Sequence, residues 1–519
     1  MFRRPRFIRA LSLLLVAASS GTACASNLPG QVDGLVSSSK LGRANVGVSI
    51  VECLPASGAD PVLVRINEST SFIPASNLKV ITTAAALEVL GPDFAFETHL
   101  ILSKSAGGQR LTLVGSGDPA LFDQEARLPD GRHGNWSTVE HCAKAWAETL
   151  KAANITRIDE LVVDGRIFDT ESIPQGDAKW RTNEHAGTYA VGVWGLNIAA
   201  NAAVLKPGWN PGGSPTLGAL QPPFPLRLAP GKNSATCDAR KADNLTIAYE
   251  SDRRSLRFGG NMRQRTTEVS LGIHDPLPLS AEMFAQLLTA SGVAVRSWRV
   301  ASADDPAAIG LSVEPVLRTP IATVLHGANT ESKNIYAEAL IKRMGAKAAN
   351  PADRPIGPGF VAGSWANGNA ALRAVLDKRL GSGCTGALCM RDGSGLSDVN
   401  RTTPELTARL LAAFAADPAI AKPYFMSFAR PREPGTLQRR FTSVDLRGAE
   451  VFAKSGFING ASCLSGIVIG AGGRTVAFSI LCNKVAEGEI SEAKALHERI
   501  VAAIAREIAP APVRTVQGG

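Results

Sequence analysis

Strand-forming segments stand at both ends of this chain. Residues 44–51 (Ala-Asn-Val-Gly-Val-Ser-Ile-Val) and 61–66 have the apolar, β-branched character of strands. So do residues 450–453, 463–470 and 474–482, the last two joined by Ala471-Gly472-Gly473 as a hairpin. A single sheet built from these pieces must draw on both ends of the chain. Two helices fit the same unit. Residues 76–90 read as a helix stopped by Gly91. Residues 491–508 place Leu496, Ile500, Ile504 and Ile508 on one face. The expected fold class is therefore α/β (α+β). One discontinuous domain spans 26–96 and 305–519, and residues 97–304 are inserted. In the insertion, 98–102, 110–114 and 160–164 read as strands. Residues 209–232 are rich in Pro and Gly, and a helix begins at 283–291. A strong helix is expected over 331–344.

Length and composition agree with this division. A chain of 519 residues suits two or three domains. Hydrophobic residues make up 45% and charged residues 19%, which excludes a disordered chain. The net charge is +9, but no Lys/Arg run forms a nucleic-acid patch. The scattered charge is compatible with anionic lipid, with an anionic polymer such as cell wall, or with a merely soluble basic surface.

The first residues read as a secretory signal, residues 1–25. Arg3, Arg4, Arg6 and Arg9 precede an apolar run over 10–19, and small residues lead to Ala23-Cys24-Ala25. Cleavage after Ala25 fits, and the chain is expected in the periplasm or cell envelope. Cys24 as a lipid-modified first residue is the alternative. The apolar run is too short to span a bilayer, and no later segment is long enough, so membrane association is at most peripheral. Eight cysteines, Cys24, Cys53, Cys142, Cys237, Cys384, Cys389, Cys463 and Cys482, are compatible with disulfides in an exported chain. Two candidate pairs are Cys384 with Cys389 and Cys463 with Cys482; connectivity is not readable from sequence. His133, His141 and Cys142 make the one metal-like cluster, expected on a surface loop. No metal or cofactor is expected.

Three short motifs carry chemistry. In Ser76-Asn77-Leu78-Lys79, positions i and i+3 share a helix face. The lysine amine can thus stand beside the serine hydroxyl and, if neutral, take its proton. A serine at a helix start also meets the favourable end of the helix dipole. Ser332-Lys333-Asn334 and Lys454-Ser455-Gly456 follow in the order that S-x-x-K chemistry requires. Each motif alone occurs by chance. All three, in order and in an exported chain, are specific.

On these residues the chain resembles the class C low-molecular-mass penicillin-binding proteins, the DacB-type D-alanyl-D-alanine carboxypeptidases/endopeptidases. The resemblance is carried by Pro74-Ala75-Ser76-Asn77-Leu78-Lys79-Val80-Ile81-Thr82, Leu113-Val114-Gly115-Ser116-Gly117-Asp118-Pro119 and Ser332-Lys333-Asn334-Ile335-Tyr336-Ala337-Glu338. Asp392-Gly393-Ser394-Gly395-Leu396-Ser397 and Lys454-Ser455-Gly456 complete it. It implies a β-lactamase/transpeptidase-like domain, an antiparallel sheet flanked by helices, with β-rich domains inserted after the S-x-x-K helix. It implies hydrolysis of peptidoglycan stem peptides through an acyl-enzyme, with β-lactams as covalent inhibitors.

The resemblance also assigns roles. Ser76 is the nucleophile, Lys79 its base, and Ser332 the proton relay to the leaving D-alanine. Asn334 holds the substrate amide, and Lys454 and Ser455 bind its carboxylate. The backbone N–H groups of Ser76 and Phe457 form the oxyanion hole. Two positions depart from the family pattern. Lys333 stands where Asp is usual, adding a positive charge expected near Lys79. Ser455 replaces the usual Thr and keeps a hydroxyl. The alternatives are a serine β-lactamase or esterase of the same fold, or a non-catalytic wall-binding protein. No G-x-S-x-G elbow, Walker A or dinucleotide fingerprint is present.

Overall fold

The sheet expected from the two chain ends forms. In a computed structural model, residues 27–55, 60–105, 107–132, 138–177, 180, 187–264, 267–351 and 355–510 are described. The proposed signal and Cys24 lie outside them. The five strands run in the order Glu450–Ile458, Gly460–Ile469, Thr475–Val485, Val46–Glu52 and Val62–Ile66, and all neighbours are antiparallel. The N-terminal strand thus lies between its own hairpin partner and the C-terminal hairpin.

Strand alternation explains how both faces are covered. Val46, Val48 and Ile50 point to one face with Leu464, Val468, Val476, Phe478 and Ile480. There they meet Leu28, Val32 and Val36 of the helix Leu28–Ser37, and Leu496, Ile500 and Ile504 of the helix Ile490–Glu507. Burying each such side chain stabilises by roughly 1.5–3 kcal/mol. On the opposite face Gly47 has no room for a side chain. A Cβ there would stand 2.5 Å from the Phe72 ring and 2.7 Å from Pro404, which opens the helix Pro404–Ala415.

Chain contacts divide the protein into two units. The first runs to Glu88 and takes in Leu325–Ser332 and the residues from Leu372 onward. The second comprises Val89–Val324 and Lys333–Ala371. These bounds differ from those expected. Residues 89–96, 305–324 and 333–371 belong to the second unit. One reason is that the strand Leu311–Pro320, not recognised in the sequence, pairs antiparallel with Ala95–Ser105.

The second unit combines sheets with helices. Its five-stranded sheet has the order Trp298–Val300, Glu160–Asp164, Gly108–Val114, Ala95–Ser105 and Leu311–Pro320. The helices Val139–Ala152 and Pro276–Ala290 share its core, where Trp146 and Phe284 lie 5.6 Å apart. The latter helix starts earlier than residue 283, because proline is well tolerated in a first helical turn. The Pro/Gly-rich stretch holds the strand Pro215–Gln221, paired with Ala202–Trp209. A smaller sheet joins Thr246–Tyr249, Ser255–Gly259 and Arg227–Leu228.

Other expectations are corrected. His141 and Cys142 lie on a helix, not a surface loop, with His141 exposed and Cys142 buried; His133 is outside the described residues. No group of metal-binding side chains occurs among the described residues. All seven described cysteines are thiols. Cys463 is opposite Leu481 and Cys482 is opposite Ser462, so the two thiols point to opposite faces of the sheet. No described helix is long and apolar enough to cross a membrane.

Candidate active site

Ser76 is the middle residue of a 3-10 turn, Ala75–Asn77, that runs into the helix Leu78–Leu90. This helix is buried from Leu78 to Leu87 with no polar face, as befits a central helix. Lys79 lies one turn after Ser76 and is fully buried. Its Nζ is 3.0 Å from Ser76 Oγ and donates to the Ser394 carbonyl across 2.9 Å. A buried amine needs such partners, because burial without them costs several kcal/mol.

The Ser394 carbonyl is aimed by its own loop. The buried Asp392 carboxylate accepts from Gly395 N at 2.8 Å, Ser397 N at 2.7 Å and Asn400 Nδ2 at 2.8 Å. Gly395 has φ +82, and a Cβ there would fall 1.8 Å from the Ala75 carbonyl oxygen. Ala75 itself has φ +48, a left-handed conformation that costs roughly 1–2 kcal/mol in a residue with a side chain. The loop and the serine turn therefore meet backbone to backbone. The resemblance includes this loop without implying a role for it.

Lys454 lies on the sheet's edge strand and is fully buried. Its Nζ donates to Ser332 Oγ at 2.9 Å and to the Ser455 carbonyl at 2.8 Å. Burial, and then the charge of Lys79, push its ammonium well below its ordinary value. Gly456 presses on the serine turn, since a Cβ there would stand 2.8 Å from both Asn77 N and Pro74 O. Asn77 Nδ2 ties the turn to the strand through the Lys454 carbonyl at 2.8 Å. The Ala453 N–H points off the sheet edge to the Ala429 carbonyl. Alternation then puts the Ser455 and Phe457 N–H groups on that same open side. The Ser76 N–H belongs to the first turn of a helix, whose donors have no intrahelical acceptor.

Ser332 has φ +66, so the helix expected from residue 331 starts only at Asn334. The segment before it is held by buried Asn329, whose Nδ2 donates to Thr83 Oγ1 at 3.1 Å and to Ser427 Oγ at 2.9 Å. Nothing in the sequence pattern marked Asn329. Ser76, Lys79, Ser332, Lys454, Ser455 and Phe457 all fall in the first unit.

Asn334 falls in the second unit, where its Nδ2 donates to the Tyr189 carbonyl at 2.8 Å. Lys333 is there too, and its charge is engaged locally. Its Nζ lies 2.7 Å from Asp123 Oδ2 and 3.2 Å from Glu125 Oε2, and Tyr336 donates to the same Asp123 oxygen at 2.7 Å. The added positive charge expected at this position is thus met by carboxylates, a compensation invisible in the motif itself.

The centre is a half-buried hydroxyl beside one buried amine, with a second hydroxyl–amine pair in the same unit. Comparison with known proteins agrees with that chemistry. A D-alanyl-D-alanine carboxypeptidase of Actinomadura sp. (strain R39) is 27% identical over 91% of this chain and 85% of its own length. A penicillin-sensitive carboxypeptidase A of Dictyostelium discoideum is 22% identical over 83% and 81%. Penicillin binding protein 4 (dacB) of Haemophilus influenzae shares the fold. Its TM-score is 0.68 at 22% identity, covering 92% of this chain and 98% of that one. The D-Ala-D-Ala carboxypeptidase 3 (S13) family matches residues 28–506, nearly the whole described chain, and it is to this family of peptidases that the chain belongs.

Proposed function

We propose that Ser76 is the acylated nucleophile of a serine D-Ala-D-Ala carboxypeptidase/endopeptidase acting on peptidoglycan stem peptides. The observation that carries this reading is the 3.0 Å approach of the buried Lys79 Nζ to Ser76 Oγ at the start of a buried helix. Lys79, in its unprotonated form, takes the hydroxyl proton as Ser76 Oγ bonds to the carbonyl carbon of the penultimate D-alanine. The oxyanion faces the N–H groups of Ser76 and Phe457, donors worth roughly 10²–10³ in rate each. As the peptide C–N bond breaks, the proton that Lys79 took is relayed through the Ser332 hydroxyl to the leaving amine, which leaves Lys79 free to act again. Lys454 and Ser455 hold the terminal carboxylate, and Asn334 holds the substrate amide. Water then hydrolyses the ester and frees Ser76.

A β-lactam enters the same way. Its ring opens as the acyl bond forms, the leaving nitrogen stays tethered, and the adduct persists. The mature chain begins near Ser26 and works in the periplasm or cell envelope, attached to the membrane at most peripherally. The catalytic centre belongs to the discontinuous domain built from both chain ends, and the residues between form accessory structure. The test is intact-mass measurement after incubation with labelled penicillin. Wild type gains one penicillin mass, and Ser76→Ala, folded to the same extent, gains none. Full labelling of Ser76→Ala would remove the assignment.

A further inference from the structure

The second unit carries a concavity of about 820 Å³, none of whose lining residues belongs to the unit that holds Ser76. It lies along the small sheet of Thr246–Tyr249 and Ser255–Gly259. Lys232, Arg253 and Arg257 line it, against a single lining carboxylate, Glu250. Glu250 is shared, with Lys232 Nζ at 2.6 Å and an Arg257 nitrogen at 3.5 Å. Arg253 has no carboxylate within ion-pair distance among the described residues.

Arg253 is also placed deliberately by its turn. It has φ +53, an unfavourable conformation for a residue with a side chain. The turn is fixed by Asp252, which accepts from Arg254 N at 3.0 Å and from Ser255 N at 2.8 Å. Charge is concentrated here. Residues 221–264 hold eight Lys/Arg against four Asp/Glu, whereas the whole chain holds 55 against 46. The rest of the lining is amphipathic. Thr246 and Ser234 bring hydroxyls, and the Tyr249 ring is pinned by its hydroxyl, which donates to the Gly272 carbonyl at 2.9 Å. Cations, hydroxyls and a fixed aromatic ring in one hollow match a sugar that carries anions.

We propose that this hollow is a binding site for an anionic saccharide polymer, with ligand carboxylates or phosphates pairing to Arg253 and Arg257 and a sugar face resting on Tyr249. The carboxylate source, peptidoglycan, rests on the function proposed above; the anion site does not. It tethers the enzyme to its polymer while the serine centre works on the peptides.

The experiment measures binding of the full chain to soluble peptidoglycan strands and, separately, to a sugar-substituted poly(glycerol phosphate). Arg253→Gln/Arg257→Gln is compared with Arg240→Gln/Lys241→Gln, which removes two cations that do not line the hollow. The first variant should bind at least one of the polymers about tenfold more weakly, a loss of about 1.4 kcal/mol. Tyr249→Ala, which removes the ring, should bind more weakly than Tyr249→Phe, which keeps the ring and loses only the hydroxyl that pins it. The polymer whose binding falls identifies the anion. Equal binding by wild type and Arg253→Gln/Arg257→Gln on both polymers overturns the proposal. So does an equal loss in the Arg240→Gln/Lys241→Gln control, which would mean diffuse charge. Penicillin labelling of Ser76 is followed in every variant and should not change. Failure of the serine assignment is therefore seen separately.

Discussion

Lys454 Nζ stands 2.9 Å from Ser332 Oγ, one hydrogen bond joining the sheet's edge strand to the S-x-N motif. The amine is fully buried, and burial together with the Lys79 charge disfavours its protonated form. A ligand carboxylate beside Lys454 would favour the protonated form that burial and Lys79 disfavour. Lys454→Ala should therefore slow acylation by penicillin and cleavage of D-Ala-D-Ala peptides by about 10²-fold, since truncating one partner of a buried charge pair costs roughly 2–5 kcal/mol. Reaction with a small neutral activated ester should fall less than about tenfold. Steady-state kinetics with both substrate kinds decides. Equal losses would mean that Lys454 serves the chemistry or the fold and not carboxylate recognition.

Gly395 is predicted to be irreplaceable. With φ +82 and the Ala75 carbonyl 1.8 Å from any Cβ, Gly395→Ala must push the loop from the serine turn. The Ser394 carbonyl would move with it, and Lys79 would lose a 2.9 Å partner. Displacements of about 1 Å can cost on the order of 10²-fold in rate. Stopped-flow acylation by a chromogenic cephalosporin should show that loss. A variant acylated at the wild-type rate would refute the packing argument.

His497 should set part of the acid sensitivity. It is fully buried beside Cys482, and burial, then the Arg440 charge, lowers its pKa from 6.5 to about 3. Between those values the unfolded chain binds one more proton than the folded one. Its contribution is therefore complete above about pH 6.5 and is lost as pH falls toward 3, by up to ~1.4 kcal/mol per pH unit. Urea midpoints of wild type and His497→Gln, measured from pH 7 downward, should converge as the pH drops. Parallel profiles would assign the acid sensitivity elsewhere.

Cys463 and Cys482 should both be found as thiols. Their strands are adjacent, but Cys463 faces Phe72 and Leu481 while Cys482 faces the core on the other side. Alkylation in denaturant without reductant should modify both. A 463–482 disulfide peptide in a non-reducing digest would contradict the register.

The serine centre was legible where a residue's chemistry is local. Ser76 and Lys79 are one helical turn apart, so spacing alone brought them together. Lys454 was legible as a strand lysine, but its 2.9 Å bond to Ser332 depends on a left-handed residue that no periodicity reports. Asn329 was invisible because its importance lies in two distant hydroxyls, on Thr83 and Ser427. The same limit hid one strand. The strand Leu311–Pro320 is only partly buried, so it lacks the apolar run that marked the central strands, and only its pairing with Ala95–Ser105 reveals its unit.

The position of the strand Val46–Glu52 has a consequence for how the chain is made. Val46 sits opposite Cys482, so this strand waits with an unpaired edge until almost the whole chain has been synthesised. Such long-range closure is entropically costly and slow, whereas the unbroken stretch Val89–Val324 can mature early. The serine turn leans on Gly456 of the C-terminal strand set, so it has no mould until that set arrives. Catalytic competence is therefore among the last properties the nascent chain acquires, and a polypeptide cut short before Thr475 carries every motif of the centre in its sequence while being unable to assemble it.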